Sequence, residues 1–243
     1  MKKSEKEQIS EINQRYKDAP WIANAKDVNI IIGGAGGIGS GVIFLLGRMG
    51  YTLYIYDFDV VGKENIGVQF YKNGNVGEAK VSAINYLVSE FNPSFENRIT
   101  AINGRFDHTG ITSGIMISCF DNMGARKQMY TSWLNYTKTL EPALERNTLY
   151  LDGRLGPEYF EIFAVQGGTN RTERYKKELF EDSEVLDLPC SFKATPHTAF
   201  LISGMIVGCL TNFLTNVYMG MDVRDVPYKT EFQVPIMNLI TTQ

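Results

Sequence analysis

Residues 27–33, Asp-Val-Asn-Ile-Ile-Ile-Gly, form a short apolar run that leads straight into Gly34-Ala-Gly36-Gly-Ile-Gly39. No other feature constrains the fold as much as this junction. An apolar run of that length reads as a strand buried on both faces. Closely spaced glycines at its end, followed by a helical pattern over Ser40–Met49, make a tight turn that lets backbone approach an anion. The helix behind the turn aims its N-terminal N–H groups and positive dipole end at the same place. Tyr51–Tyr56 reads as a second strand ending at Asp57. Strand, turn, helix and strand are the order of a βαβ unit with a right-handed crossover. Asp57 stands where a carboxylate can accept hydrogen bonds from a ribose. The plainer alternative is a glycine turn that only packs a helix on a sheet. The glycines alone do not separate NAD from ATP, since both present a ribose and phosphates.

Gly77–Glu90 is an amphipathic helix closed by Asn92-Pro93, and Arg98–Asn103 and Gly114–Cys119 are two further apolar strands. A long helix is expected from Asn122 to Thr137, then strands at Leu149–Asp152 and Tyr159–Gln166. The charged stretch Asn170–Asp187 reads as a surface excursion. Pro196 suits the first position of the next long helix, and Glu231–Thr241 reads as a last strand. These elements predict an α/β fold: a Rossmann-like, doubly wound, mostly parallel sheet with helices on both faces, extended by C-terminal strands and a long apolar helix. With 243 residues, 44% of them hydrophobic, the chain has the material for one such domain. Residues 1–26 are expected as an N-terminal helical arm, 27–137 as the nucleotide-binding core, and 138–243 as a substrate and dimerisation half with a crossing loop at about 167–195.

A formal net charge of −3 predicts no bulk affinity for nucleic acid or an anionic membrane. Charge is spread through the first 19 residues, so they do not read as a secretory signal. Ala194–Met221 has no charged residue and is long enough to test as a membrane span. Ser203, Gly204, Gly208, Thr211, Asn212, Thr215 and Asn216 recur in it at helical spacing, which favours a buried core or dimer-interface helix. The 3 cysteines, Cys119, Cys190 and Cys209, include no C-x-x-C pair. A disulfide framework and a cysteine-held zinc are therefore not expected, and a reducing, cytoplasmic setting is.

After Asp57 the chain continues Phe-Asp59-Val-Val-Gly-Lys63-Glu-Asn65-Ile-Gly-Val68-Gln69-Phe-Tyr, then Gly77-Glu-Ala-Lys80-Val, and later Ser118-Cys-Phe-Asp121-Asn122-x-x-x-Arg126. Here the sequence closely resembles the ThiF, MoeB and ubiquitin-activating superfamily of adenylating enzymes. That superfamily carries a G-x-G-G-[IL]-G loop, a D-x-D-x-V strand end, an N-x-x-R-Q segment, a G-x-x-K-V helix start and a D-N-x-x-x-R turn, in this order. The resemblance implies Mg-ATP as cosubstrate and a carboxylate, usually the C-terminus of a ubiquitin-like protein, as the group activated with release of pyrophosphate. It implies that Gly34, Gly36 and Gly39 make room for ATP and that Asp57, with Asp59 beside it, holds the ribose end. By the same resemblance Asn65 and Gln69 touch phosphates, Lys80 is the phosphate cation, and Asp121 orients Mg²⁺. A cation in the first turn of a helix has the wrong sign for the dipole, which independently favours an anion near Lys80. Asp121-Asn122 would also serve as a helix cap.

The pattern is broken at Val68, where the superfamily has an arginine. An always-charged guanidinium has given way to an apolar side chain. Lys63 and Lys72 are the nearby cations that could replace it. A second family arginine, donated from the partner subunit's N-terminal segment, falls near Arg15-Tyr16, where its expected position holds Asp18. Cys190, in Leu188-Pro-Cys-Ser-Phe-Lys193, lies where many relatives carry an acyl-accepting cysteine, and Lys193 could lower its pKa. Cys119 and Cys209 read as core, His197 as a capping or core residue, and His108 as solvated. Lacking the relatives' paired C-x-x-C zinc site, the chain is similar to the shorter, zinc-free members. The Leu151-Asp-Gly-Arg-Leu155 segment is similar to those members too, with Arg154 facing the substrate carboxylate. The resemblance also implies a homodimer. A catalytically degenerate nucleotide-binding scaffold is the alternative that Val68 favours. A nicotinamide-dependent oxidoreductase has no use for Lys80 or the Asp121–Arg126 turn.

Overall fold

The computed structural model describes residues 13–23, 25–91, 98–107, 109–181 and 194–243. Its elements are β1 (Asn29–Gly33), α1 (Gly37–Met49), β2 (Thr52–Asp57), α2 (Lys80–Phe91), β3 (Ile99–Asn103), β4 (Ile115–Ser118), α3 (Met123–Thr137), α4 (Pro142–Glu145), β5 (Leu149–Leu155), β6 (Tyr159–Gln166), α5 (Arg171–Lys176), α6 (Pro196–Met219), β7 (Lys229–Gln233) and β8 (Asn238–Thr242). The strands form an 8-stranded sheet in the order β3-β2-β1-β4-β5-β6-β7-β8. Pairing is parallel from β3 to β5 and antiparallel from β5 to β8. The doubly wound, mostly parallel α/β sheet read from the sequence is therefore present, extended by antiparallel strands. The chain leaves β1 on one side through β2 and β3, then returns to its other side as β4. The carboxyl ends of β1 and β4 thus bound the switch point at which such sheets bind ligands.

Alternation in β1 shows why the run must be apolar throughout. Ile30 and Ile32 join the core under α1, α2 and α6, whereas Ile31 joins a second core with Met129 and Trp133 of α3 and Tyr175 of α5. All three isoleucines are wholly buried. The second core is aromatic: Tyr130, Trp133, Tyr150, Phe163 and Tyr175 meet edge-on or tilted, the arrangement that ring quadrupoles prefer.

Helix α6 is long and apolar enough to cross a membrane, with a mean hydropathy of 1.6, but 61% of that window is buried within the fold. It packs on α1, β5 and β6. The small polar residues expected on one face are divided. Ser203, Thr211 and Thr215 are buried and turn their hydroxyls back to the carbonyls of Ala199, Gly208 and Thr211. Gly204 and Gly208 face outward. Asn216 leaves the face to accept from the N–H groups of Val223 and Arg224, tying down the turn beyond the helix.

Two further boundaries differ from the sequence reading. Glu231–Thr241 is two strands rather than one, because Pro235 has no N–H to give a ladder and a turn forms at Val234–Ile236. Of the expected N-terminal arm, residues 13–23 and 25–27 are described, and they form turns with two 3₁₀ segments, Pro20–Ile22 and Ala25–Asp27. This segment docks at the carboxyl end of α1, where Asn13 Nδ2 donates to the Met49 carbonyl at 3.1 Å and the Tyr51 hydroxyl to that of Trp21 at 2.8 Å.

Candidate functional site

Beyond β1 the chain turns at Gly34 with φ +91°, a backbone state that side chains resist. A Cβ there would lie 2.7 Å from the Cys119 carbonyl, and one at Gly39 would lie 1.8 Å from that of Gly34. The two positions are therefore required by the fold. Gly36 is different: a Cβ on it would meet nothing within 4 Å. It is the N-cap of α1, so its corner opens onto first-turn N–H groups that no helical carbonyl reaches.

Asp57 anchors this loop from the next strand. Its Oδ2 accepts from Ala35 N–H at 2.6 Å and its Oδ1 from Asp59 N–H at 2.8 Å. Burial pushes its carboxyl above the ordinary carboxylate value, against the pull of those two N–H bonds and of Lys80. The Tyr71 hydroxyl donates to the Ala35 carbonyl at 2.6 Å and braces the loop from behind.

Lys80, the first residue of α2, is nearly buried, yet its ammonium reaches Asp59 Oδ2 at 2.8 Å. The start of α2 is pinned to the β2 end by an isolated bridge between Val60 and Ala79, and Lys80 N–H donates to the Asp59 carbonyl at 3.0 Å. The half-exposed Asp59 therefore offsets the unfavourable placing of a cation at a helix start.

Asn65 caps the 3₁₀ turn Lys63–Asn65, its Oδ1 accepting from Gly62 N–H at 2.8 Å. Gln69 Oε1 is buried without a hydrogen-bond partner. Between them Val68 lies against the glycine loop: its Cγ1 would be 4.0 Å from a Cβ on Gly37. The position of the missing arginine therefore does abut the site. Lys72 does not take its place, because it is ion-paired with Glu90 at the far end of α2 from Lys80, ~15 Å along the helix. Lys63 is exposed in the 3₁₀ turn Lys63–Asn65. Arg15 sits in the turn docked on the carboxyl end of α1, the opposite end from the loop.

Asp121 follows β4 with its carboxylate exposed, touched by Asn122 Nδ2 at 3.2 Å. Asn122 is the cap of α3, accepting from Ala125 N–H at 2.8 Å, so the two residues divide the roles between them. Arg126, one turn on, donates to the carbonyls of Phe120 and Gly153 and to Asp152, joining the ends of β4 and β5. Asp152 is wholly buried and also accepts from Arg154 Nε and the Tyr175 hydroxyl, each at 2.8 Å. Burial would raise its carboxyl, but the two guanidinium groups outweigh that and hold it below the usual carboxylate value. Sequence reading passed over Asp152 and Tyr175. An acid in an otherwise apolar strand was the available signal, since unpaired acids are almost never fully buried.

Cys190, Lys193 and His108 lie outside the described residues. His197 is exposed, its Nε2 3.3 Å from Thr195 Oγ1. Burial pushes the thiols of Cys119 and Cys209 up to about 12 and about 11. Among the described residues no three His, Cys, Asp or Glu side chains gather as a metal cage would need.

The ThiF family model matches residues 12–231. Ubiquitin-like modifier-activating enzyme 5 of Dictyostelium discoideum is 29% identical over 143 residues, which cover 52% of this chain and 38% of that protein. The Arabidopsis thaliana protein of the same name is 30% identical over 121 residues, covering 42% of this chain and 28% of that one. The chain thus spans well under half the length of these relatives. Among solved structures, Escherichia coli MccB with ATP superposes with a TM-score of 0.69 at 14% identity, covering 97% of this chain and 71% of that one. PaaA superposes with a TM-score of 0.67 at 14% identity, covering 98% and 72%. At such identities the likeness speaks for the fold.

Proposed function

The chain belongs to the ThiF family, and from that premise we propose that it is an ATP-dependent adenylyltransferase activating a carboxylate of a small protein or peptide. One observation carries the reading: the unfilled corner at Gly36, with a helix N-terminus behind it, Asp57 and Lys80 beside it, and Asp121 across the switch point. Close packing requires glycine at Gly34 and Gly39, whereas no neighbouring atom requires it at Gly36.

In the proposed reaction a carboxylate oxygen attacks the α-phosphorus of ATP. The bond from that phosphorus to the α–β bridging oxygen breaks, and its electron pair leaves with pyrophosphate. An acyl-adenylate remains. Asp57 accepts from the ribose hydroxyls; the α1 N–H groups and Lys80 neutralise phosphate charge, Lys80 leaving Asp59 to do so; Asn65 and Gln69 touch phosphates. The exposed carboxylate of Asp121 suits the oxygen-seeking Mg²⁺ that accompanies a triphosphate, and the ion would offset the leaving group's charge. Cys190 is retained as a candidate acyl acceptor. We further propose one ThiF-like domain in a cytoplasmic homodimer, its contact made by the outward side of α6, where Phe200 and Leu201 are exposed beside Gly204 and Gly208.

The test is calorimetric titration with Mg-ATP, with NAD and Lys80→Ala as controls, followed by ATP–pyrophosphate exchange in the presence of carboxylate-ended peptides. Saturable Mg-ATP binding that is lost in Lys80→Ala, together with exchange, supports the reading. NAD binding in place of ATP overturns it. Val68 favours a second reading, a nucleotide-binding scaffold without catalysis, which would bind Mg-ATP and exchange no pyrophosphate with any such peptide.

A further inference from the structure

We propose that Arg154 forms, with Arg126, Asp152 and Tyr175, an oxyanion site at the carboxyl end of β5, built to receive a carboxylate or a phosphate oxygen. The argument is one of charge. Asp152 is wholly buried and carries two guanidinium groups, so the cluster holds one positive charge more than it can neutralise internally. Arg126 is engaged through both terminal nitrogens, by Asp152 and by the Phe120 and Gly153 carbonyls. Arg154 is not. Its Nε serves Asp152, while its Nη2 is buried with no hydrogen-bond partner. A guanidinium N–H left without an acceptor in a low-dielectric setting is costly.

The sheet offers Arg154 a partner and then withholds it. Glu161 stands directly opposite in the β5–β6 register, on the same face. That pairing would be the ordinary cross-strand ion pair. Instead Glu161 Oε1 is held by Lys229 Nζ at 2.7 Å and by the Tyr159 hydroxyl at 2.6 Å. Glu231 shares both of those donors, at 3.1 and 2.9 Å, and keeps the acids together on β6 and β7. The Arg154 guanidinium is meanwhile held over the Phe163 ring, 4.5 Å from its centroid, with the Phe180 ring at 5.6 Å, which restricts its direction without neutralising it. An oriented, desolvated guanidinium with its natural carboxylate diverted is the arrangement that recognises an incoming oxyanion.

Its location gives the site a use. Leu155, the next residue, would lie 3.4 Å from a Cβ on Gly37 of the nucleotide loop, while Arg126 binds the chain just before Asp121. Arg154 therefore stands at the same end of the sheet as the proposed nucleotide corner, on the opposite face from Leu155. Resting on the adenylyltransferase reading, the oxyanion is the substrate's terminal carboxylate or a phosphate of the nucleotide. The chemistry of the site is common to both.

The test follows the Arg154 Nε–H resonance in protein labelled with ¹⁵N-arginine. It is assigned by its disappearance in Arg154→Lys, or by side-chain correlation in the wild type should that variant not fold. The probes are N-acetylglycylglycine, its neutral C-terminal amide, and Mg-ATP. A saturable shift with the carboxylate and not the amide supports the site and assigns it to the substrate. A shift with Mg-ATP alone supports it and assigns it to phosphate. Neither shifting, or carboxylate and amide shifting alike, overturns it. In a folded Arg154→Lys protein the probe that shifts the resonance binds about 10-fold more weakly, as one charge-assisted bond implies. Carboxylate binding by wild-type protein that does not itself bind Mg-ATP refutes the adenylyltransferase reading and leaves the oxyanion site standing.

Discussion

Replacing each loop glycine by alanine separates a nucleotide seat from a glycine turn that merely packs. At Gly39 the new Cβ would lie 1.8 Å from the Gly34 carbonyl, and backbone must move to admit it. Overpacking of that kind costs about 1–3 kcal/mol. At Gly34 the methyl meets the Cys119 carbonyl at 2.7 Å and a φ of +91° besides. At Gly36 it meets nothing within 4 Å, and φ is −80°. Gly36→Ala should disturb the fold less than Gly39→Ala, because no neighbouring atom has to move to admit the methyl. Its melting temperature should stay within about 4 °C of wild type, whereas Gly39→Ala should fall by more. Yet the methyl projects into the corner assigned to phosphate. Displacing one or two charge-assisted N–H contacts, at about 1.5–3 kcal/mol each, weakens Mg-ATP at least ~10-fold. Differential scanning fluorimetry and calorimetric titration on the same samples read both quantities. Gly36→Ala protein that binds Mg-ATP as tightly as wild type would refute the phosphate seat, however well it melts.

Four other outcomes follow from the same geometry. Asp152→Asn, which strands two guanidinium groups, should lower stability at pH 7 by about 3–5 kcal/mol in urea unfolding. Because the folded pKa of Asp152 is depressed, its contribution is present above the unfolded value of about 4 and is lost as pH falls below it; wild type should therefore lose stability on acidification more steeply than the variant. A Cβ at Gly41 would lie 2.5 Å from Ser203 Oγ, so Gly41→Ala should destabilise by about 1–3 kcal/mol, and adding Ser203→Gly should restore much of the loss in a double-mutant cycle. In Cys190→Ser protein, Cys119 and Cys209 should ignore a disulfide reagent at pH 8 until the chain unfolds, burial having pushed their thiols up to about 12 and about 11. With EDTA in place of Mg²⁺, ATP affinity should fall at least ~10-fold by calorimetry; unchanged affinity would mean that cations of the chain alone neutralise the triphosphate.

The parallel half was legible because its signals are local. Ile30–Ile32, the glycines and Asp57 fall within one βαβ unit, and strand, turn and helix follow from adjacent residues. The cap at Asn122 and the start of α6 at Pro196 were legible for the same reason. What sequence could not supply were relations across the sheet. Asp152 becomes a cluster centre only when β4 and β5 pair, bringing Arg126 to it, and when α5 delivers Tyr175. On α6, helical spacing suggested a polar face, but tertiary packing assigned the hydroxyls inward and the asparagines to the following turn. A hydroxyl that bonds its own preceding turn is as easily buried as a methyl, so periodicity of small polar residues does not report exposure.

The loss of the arginine at Val68 has to be weighed against the charges that remain. Around the crevice stand Lys80, Arg126 and Arg154, facing the carboxylates of Asp57, Asp59, Asp121 and Asp152. Acids outnumber cations, and all three cations are already ion-paired, Lys80 with Asp59 and both arginines with Asp152. A guanidinium at position 68 would have lain against Gly37 and balanced the count; an isopropyl group there leaves a triphosphate facing excess negative charge. Unit charges 4 Å apart near a protein surface interact by about 4 kcal/mol, as much as a pair of charge-assisted N–H bonds returns. Two resources remain. One is a divalent ion at Asp121, arriving with the nucleotide. The other is the positive excess at Arg154, which lies on the opposite face of the sheet from the loop that Val68 touches. On this account Val68 shifts the burden of neutralising a triphosphate onto the divalent ion that arrives with it, which is why removing that ion is expected to weaken ATP binding.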